Sequence, residues 1–394
     1  MYVTLGKKDK KSFLYKEFID EQINLLSDLL KESSKDCDQQ YKFPEQLINE
    51  MQECGLFNIL IPTEYGGKGG TITDTVYAIE KVAQYCSSTA IIMMFHYQVV
   101  KRIMEFGDEF QREKYLKKLA GSSLGASAWT EPNSGANKHG LSAVLRNNDT
   151  TGYVLEGRKS FCTGAGKAAI YTVLVKTDFE NNESFRSESF GLSNQSFVII
   201  ESGDLGVEFG DKWSGMGMRG TETGELSFSN CKIPRNRLLG GIGEGVNIMR
   251  ANRSSALHPG IVALGISKKA LEISLNYAKE RELVKFQAVR FYLAEMKIKL
   301  SAMELMVYQS AKFSDENLND LSAYYTMQSK VLTAESAINI TNSALQVLGS
   351  KGYINEFLIE KLYRDVRAIS LMGPTTELCK EMVFTDLDKW GNEL

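Results

Sequence analysis

The feature that most limits what this chain can fold into is a hydrophobic period that changes twice along its length. To about residue 122, apolar residues recur at helical spacing; from about Leu124 they fall into short β-branched and aromatic runs; after Pro234 the helical spacing returns and persists. This order of helices, strands and helices, in 394 residues that exceed one ordinary core, implies an α+β multidomain protein. The expected units are an N-terminal helical domain over 1–122, a middle β domain over 123–234 and a C-terminal helical bundle over 235–394.

Local signals place the elements. Pro44 to Cys54 carries Leu47, Ile48 and Met51 at helical spacing, with Gly55 where a cap belongs. A second helical run spans about Asp74 to Tyr85, and Asp108 with Gln111 makes a capping box that opens a helix ending near Ala120. Ile170 to Thr177 and Ser196 to Ile200 read as strands, and Asp211 to Ile233 as short strands between turns. The polar run Asn181 to Gln195 reads as a solvated loop. Long helices are expected at about 258–281, 287–313 and 319–348, the first with a stripe of Ile261, Leu264, Leu271, Leu275 and Ala278.

Charge narrows the function classes. With 46 basic and 49 acidic residues and no basic stripe, nucleic acid is not an expected partner. The most apolar stretch, Ala90 to Val100, is too short to span a bilayer, and no apolar signal core follows the basic N-terminus, so the expected location is cytoplasmic. Six cysteines without C-x-x-C spacing read as reduced thiols, and three histidines offer no metal centre or serine-type triad. Any chemistry would then belong to an organic cofactor.

Gly215-Met-Gly217-Met-Arg-Gly220 has the letters of a dinucleotide fingerprint, but a strand follows where that fingerprint needs a helix, so turn glycines are the better reading. Trp129 to Asn137 places a hydroxyl and a glycine turn after a strand, and Phe161-Cys-Thr163 ends another strand before Gly164; each reads equally as a cofactor rim or as a plain turn. His258 opens a long helix beside Pro259, where the helix dipole favours neutral imidazole. It is a weak candidate for acid–base work; His139 is weaker, and burial in an apolar helix accounts for His96.

Read together, these segments resemble the acyl-CoA dehydrogenase superfamily over essentially the whole chain. The blocks are collinear: Cys54 to Gly67, Thr130-Glu-Pro132, Gly157 to Thr163, Gly215 to Thr221, Gly243-Glu-Gly245, Tyr277 to Arg281, Gln346 to Gly349 and Tyr363-Arg-Asp365. The resemblance implies a middle β-barrel domain between two helical domains, a four-helix bundle at the C-terminus, FAD as cofactor, and a homodimer or homotetramer. It implies that Trp129, Thr130, Gly135 and Ala136 lie along the flavin's pyrimidine side and the adjoining pyrophosphate, and that Phe161 and Thr163 hold its other face. Thr375 and Glu377 would cover flavin and adenosine, and Arg281, Gln346, Gly349 and Gly352 would serve the FAD of a partner subunit.

The departures from the family pattern are specific. The glutamate base of the common dehydrogenases falls at Gly373, and the alternative glutamate of some relatives falls at Ser255; neither residue can take a proton from carbon at pH 7. A family arginine aligns with Ala256, a serine near the pyrophosphate with Ala136, and the loop between Arg281 and Phe286 is shortened. Each lost phosphate contact weakens binding by about 1–3 kcal/mol. The expected activity is a flavin oxidoreductase that transfers hydride from an acyl thioester of CoA or of an acyl carrier protein to flavin N5, without the usual carboxylate base, in polyketide or related biosynthesis; its electron acceptor is left open. A flavin monooxygenase of the same fold and a non-catalytic binding subunit are the alternatives.

Overall fold

The computed structural model describes residues 13–134, 141–148, 150, 152–178 and 194–390. The N-terminal helices are α1 (Lys16–Leu25), α2 (Ser27–Gln40), α3 (Glu45–Glu53), α4 (Ile72–Ala83), α5 (Ser87–Phe106), α6 (Glu109–Gln111) and α7 (Lys117–Ala120), with a π-turn at Arg112–Leu116 joining the last two. The expected capping box is built, and the structure adds a second. Thr71 and Asp74 form a capping box on α4, and Asp108 with Gln111 forms the one expected on α6. Gly55, just beyond α3, takes φ +90°, a value that glycine reaches without strain.

The strands are β1 (Gly125–Ala128), β2 (Val144–Asn148), β3 (Gly152–Cys162), β4 (Ile170–Asp178), β5 (Gln195–Glu201), β6 (Val207–Lys212), β7 (Gly224–Ile233) and β8 (Leu238–Leu239). They form one sheet in the order β6-β7-β3-β2-β4-β5-β8. Parallel β1 and β2 lie end to end along the same edge of β4, at Ile170–Val173 and Lys176–Asp178. The chain between them leaves the sheet at that gap, which is where Trp129 and Thr130 stand. Most of the polar run Asn181 to Gln195 lies outside the described residues; Gln195 itself opens β5.

The remaining helices are α8 (Gly245–Ser254), α9 (Gly260–Glu280), α10 (Gln287–Asp315), α11 (Asn319–Leu348), α12 (Ile359–Ile369) and α13 (Thr376–Trp390). Of the α9 stripe, Ile261, Leu264 and Ala278 are fully buried and Leu271 and Leu275 partly so. Among the described residues, no helix is long and apolar enough to cross a membrane.

His96 joins the layers. Gly125 N–H donates to its Nδ1 at 3.2 Å, so the ring proton sits on Nε2, which donates to the Phe57 carbonyl at 2.9 Å. The imidazole therefore ties α5, the loop after α3 and the start of β1 together, and burial pushes its pKa down to about 4.

The Gly215–Gly220 segment is a docking loop. A Cβ at Gly217 would sit 2.5 Å from the Arg364 carbonyl, and one at Gly220 would sit 2.2 Å from Cys37 Sγ. These glycines let the β layer press against α12 and α2, which supports the turn reading over a dinucleotide site. Met218 N–H donates to Asp365 Oδ1 at 2.6 Å, locking the loop to α12.

Candidate active site

The rim of the site is made by two strand ends held side by side. Ser160 N–H donates to the Thr130 carbonyl at 2.8 Å, which sets Trp129-Thr130 next to Phe161-Thr163. The ladder between β3 and β7 slips between Lys159 and Cys162, and within that bulge Phe161 takes φ +54°. A bulge of this kind re-aims a side chain. Phe161 is 62% exposed and stacks on Trp213, itself 45% exposed, with centroids 5.1 Å apart and planes at 16°. Thr163 Oγ1 lies 3.4 Å from Thr223 Oγ1, which in turn lies 2.8 Å from Thr221 Oγ1.

Behind the rim, Glu131 and Lys159 are buried and paired at 2.5 Å. Glu131 also accepts from Ser142 N–H, Ser142 Oγ and Ala143 N–H. Desolvation opposes its charge, but Lys159 and these donors hold its carboxyl below the usual range. The pair anchors the turn after Thr130 and is fully occupied in doing so.

On its other side, Trp129 faces Arg102 of α5, whose guanidinium lies 4.9 Å from the ring centroid. Arg102 also donates to Asn252 Oδ1 of α8 at 3.0 Å, and its neighbour Gln98 donates to the Leu257 carbonyl at 2.8 Å. These bonds carry the site from the sheet through α5 to the turn between α8 and α9. There Ser255 Oγ donates to the Asn252 carbonyl at 2.8 Å and accepts from Leu257 N–H, so its hydroxyl is spent on closing α8. Gly373, with φ +69°, faces Pro259: a Cβ there would lie 3.6 Å from the proline Cγ.

His258 is buried beside Pro259. Its Nδ1 accepts from Gly260 N–H at 3.2 Å, leaving the proton on Nε2, which has no partner among the described residues. Burial, and secondarily the nearby Lys330, push its pKa down to about 3, so the ring is a neutral hydrogen-bond donor at pH 7. Lys330 of α11 is fully buried, donates to the Ile369 carbonyl at 2.7 Å, and is pushed down to about 8 by desolvation.

The remaining expected residues lie in two other places. Thr375 Oγ1 accepts from Leu378 N–H at the start of α13, and exposed Glu377 accepts from Thr376 Oγ1 at 3.0 Å. Arg281, Gln346 and Gly349 are exposed at the C-terminal ends of α9 and α11, with Gly352 buried in the following turn. The Tyr277–Phe357 ring contact ties the end of α9 to the turns that follow α11. Among the described residues, no hydrogen bond, ion pair or ring contact joins this set to Thr130, Phe161 or Thr163. Gly135, Ala136 and His139 lie outside the described residues.

Arg102, Asn252 and Lys330 lie beside the candidate site without any sequence motif, whereas Trp213 precedes the Gly215–Thr221 stretch that resembles flavin hydroxylases. Arg102 follows Lys101 at the end of an apolar run, and nothing local separates a buried cation from a surface one. The available signal was Trp129 itself, a large ring at a strand end that needs a partner.

Three domain descriptions match in succession: the acyl-CoA dehydrogenase N-terminal domain over residues 15–123, its middle domain over 126–231 and its C-terminal domain over 244–386. The chain belongs to the acyl-CoA dehydrogenase family. It is 32% identical over 371 residues to the acryloyl-CoA reductase (NADH) of Anaerotignum propionicum, covering 91% of each chain. It is 32% identical over 384 residues to the 3-(aryl)acrylate reductase of Clostridium sporogenes, covering 95% of this chain and 97% of that one. The solved butyryl-CoA dehydrogenase of Megasphaera elsdenii superposes with a TM-score of 0.87 at 28% identity, over 97% of this chain and 99% of that one.

Membership makes this an FAD-dependent oxidoreductase of the acyl-CoA dehydrogenase type, acting on CH–CH groups. The rim fits a flavin. It offers an exposed aromatic stack, threonine hydroxyls at two strand ends, and in Trp129 Nε1 a buried donor without an acceptor among the described residues.

Proposed function

We propose that the chain reduces an α,β-unsaturated acyl thioester to its saturated counterpart without a carboxylate acid or base, the β-carbon taking hydride from FAD reduced by an external donor and the α-carbon taking a proton from solvent, the direction for which both relatives above are named. The observation that carries this is the pair of base positions. Gly373 has no side chain, Ser255 is consumed by the end of α8, and the buried ionisable groups around them are His258, Lys330 and Cys379.

When bound, FAD supplies the two-electron exchange with the acyl chain. Thr130 and Thr163 would hold its rim, Phe161 and Trp213 would pack against it, and Thr375 and Glu377 would close over it from the start of α13. Arg281, Gln346, Gly349 and Gly352 serve the FAD of a second subunit. Their separation from the rim within one chain supports that reading, as do the exposed Phe291, Tyr292, Ile298 and Leu305 on α10, an apolar face suited to a homodimer or homotetramer. The neutral Nε2–H of His258 is a hydrogen-bond donor in the corner where the acyl group would be positioned, not a proton acceptor.

The test is to reduce the FAD-loaded protein anaerobically and offer crotonyl-CoA, cinnamoyl-CoA and the same acyl groups on a carrier protein. Saturated CoA thioesters are the expected products. Turnover of the carrier-bound forms alone would assign the protein to carrier substrates and a biosynthetic role. No turnover of any thioester by FAD-loaded protein would refute the proposal, and a hydroxylated product on admitting oxygen would replace it with a monooxygenase.

A further inference from the structure

Arg102 is a buried cation that has no counter-ion among the described residues. It is 2% exposed, and all four hydrogen bonds from its terminal nitrogens go to neutral oxygens. Nη1 donates to Ser127 Oγ at 2.6 Å and Thr172 Oγ1 at 2.8 Å; Nη2 donates to Gln98 Oε1 at 3.1 Å and Asn252 Oδ1 at 3.0 Å. Its Nε–H has no acceptor among the described residues. Two of the four acceptors are amides where Glu or Asp would have the same shape and would complete an ion pair. The other charges near Trp129, Lys159 and Glu131, cancel each other.

Stranding a cation in this way is costly, because desolvation of an ion in a protein interior takes several kcal/mol that neutral partners only partly return. Its effect is the opposite of screening: with little water or counter-charge nearby, the positive potential extends into its surroundings. Those surroundings are the face of Trp129, at 4.9 Å, and then the rim.

We propose that Arg102 is a positioning charge for the cofactor, held behind Trp129 so that its potential favours the negative charge FAD takes up on reduction. This rests on the reading that places Trp129 beside the pyrimidine ring, where that charge resides. Gln98 and Asn252 keep the guanidinium in place without neutralising it.

The deciding variant is Asn252→Asp, which keeps the shape and the hydrogen bond but supplies the missing counter-charge. In the FAD-loaded protein its midpoint potential is expected to fall, and its affinity for sulfite, an anion that adds to oxidised flavin, is expected to drop on the order of ten-fold. Its thermal midpoint should hold or rise, since a buried ion pair has been completed. Arg102→Lys should retain most of the potential. A potential and sulfite affinity unchanged in Asn252→Asp would overturn the proposal and leave Arg102 as a packing residue. Trp129→Phe separates this from a failure of the site reading: if that variant leaves the absorption spectrum and affinity of bound FAD unaltered, the cofactor is not beside Trp129, and the proposal falls with the reading beneath it.

Discussion

Lys361 and Arg102 are both buried cations on helices, and they are treated in opposite ways. Lys361 of α12 is paired with Asp365 at 2.6 Å; Asp365 also accepts from Ser87 Oγ and Met218 N–H. Burial alone would push the Lys361 ammonium down, but Asp365 overrides it and the group is held above its ordinary value. Arg102 meets the same burial with nothing to oppose it and is pushed down to about 9. The difference separates two jobs. Where α12, α5 and the 215–220 loop are locked together, every charge is answered within the chain. Beside the rim of the proposed cofactor site, a charge is left unanswered among the described residues.

The largest effect should come from breaking the complete pair. Asp365→Asn strands Lys361 and is expected to cost about 3–5 kcal/mol, read from denaturant midpoints. Arg102→Met strands no charge: it relieves the cost of burying one and leaves four neutral oxygens without that donor, so its net loss of stability should be well below that of Asp365→Asn, about 1 kcal/mol. Equal losses in the two variants would erase the distinction.

A smaller contrast lies between two buried histidines. His96 uses both ring nitrogens, whereas His258 uses one. At pH 7, His96→Gln should therefore destabilise more than His258→Gln, by about 1 kcal/mol, the worth of one hydrogen bond. Both rings have folded values below the ordinary 6.5, so the stability they contribute is complete above that value and is lost as pH falls toward 4 for His96 and 3 for His258. Denaturation at pH 7, 6, 5 and 4 should show a loss on acidification that is shallower in each variant than in the wild type. An identical pH slope in either variant would remove that histidine from the account of acid sensitivity.

The contrast also marks what could be read without a structure. The change of period, the capping box at Asp108, the turn role of Gly215–Gly220 and the burial of His96 rest on residues a few positions apart, and sequence carries that information directly. The pairing of Asp365 with Ser87, 278 residues away, and the stacking of Phe161 on Trp213 depend on how the sheet meets the bundle. Gly373 and Ser255 were legible only through resemblance, because a missing carboxylate leaves no local pattern. Arg102 was not legible at all, since its isolation is a property of the residues around it.

The most direct test of chemistry without a carboxylate base is exchange at carbon. A saturated acyl-CoA held with the FAD-loaded enzyme in deuterated buffer exchanges its α-hydrogen when a base stands over it. Gly373→Glu supplies that base at a backbone cost of about 1–2 kcal/mol for the left-handed conformation. The expected result is negligible α-deuteration with the wild type and clear incorporation with Gly373→Glu. Wild-type exchange as fast as that of the variant would show that another group already does the glutamate's work.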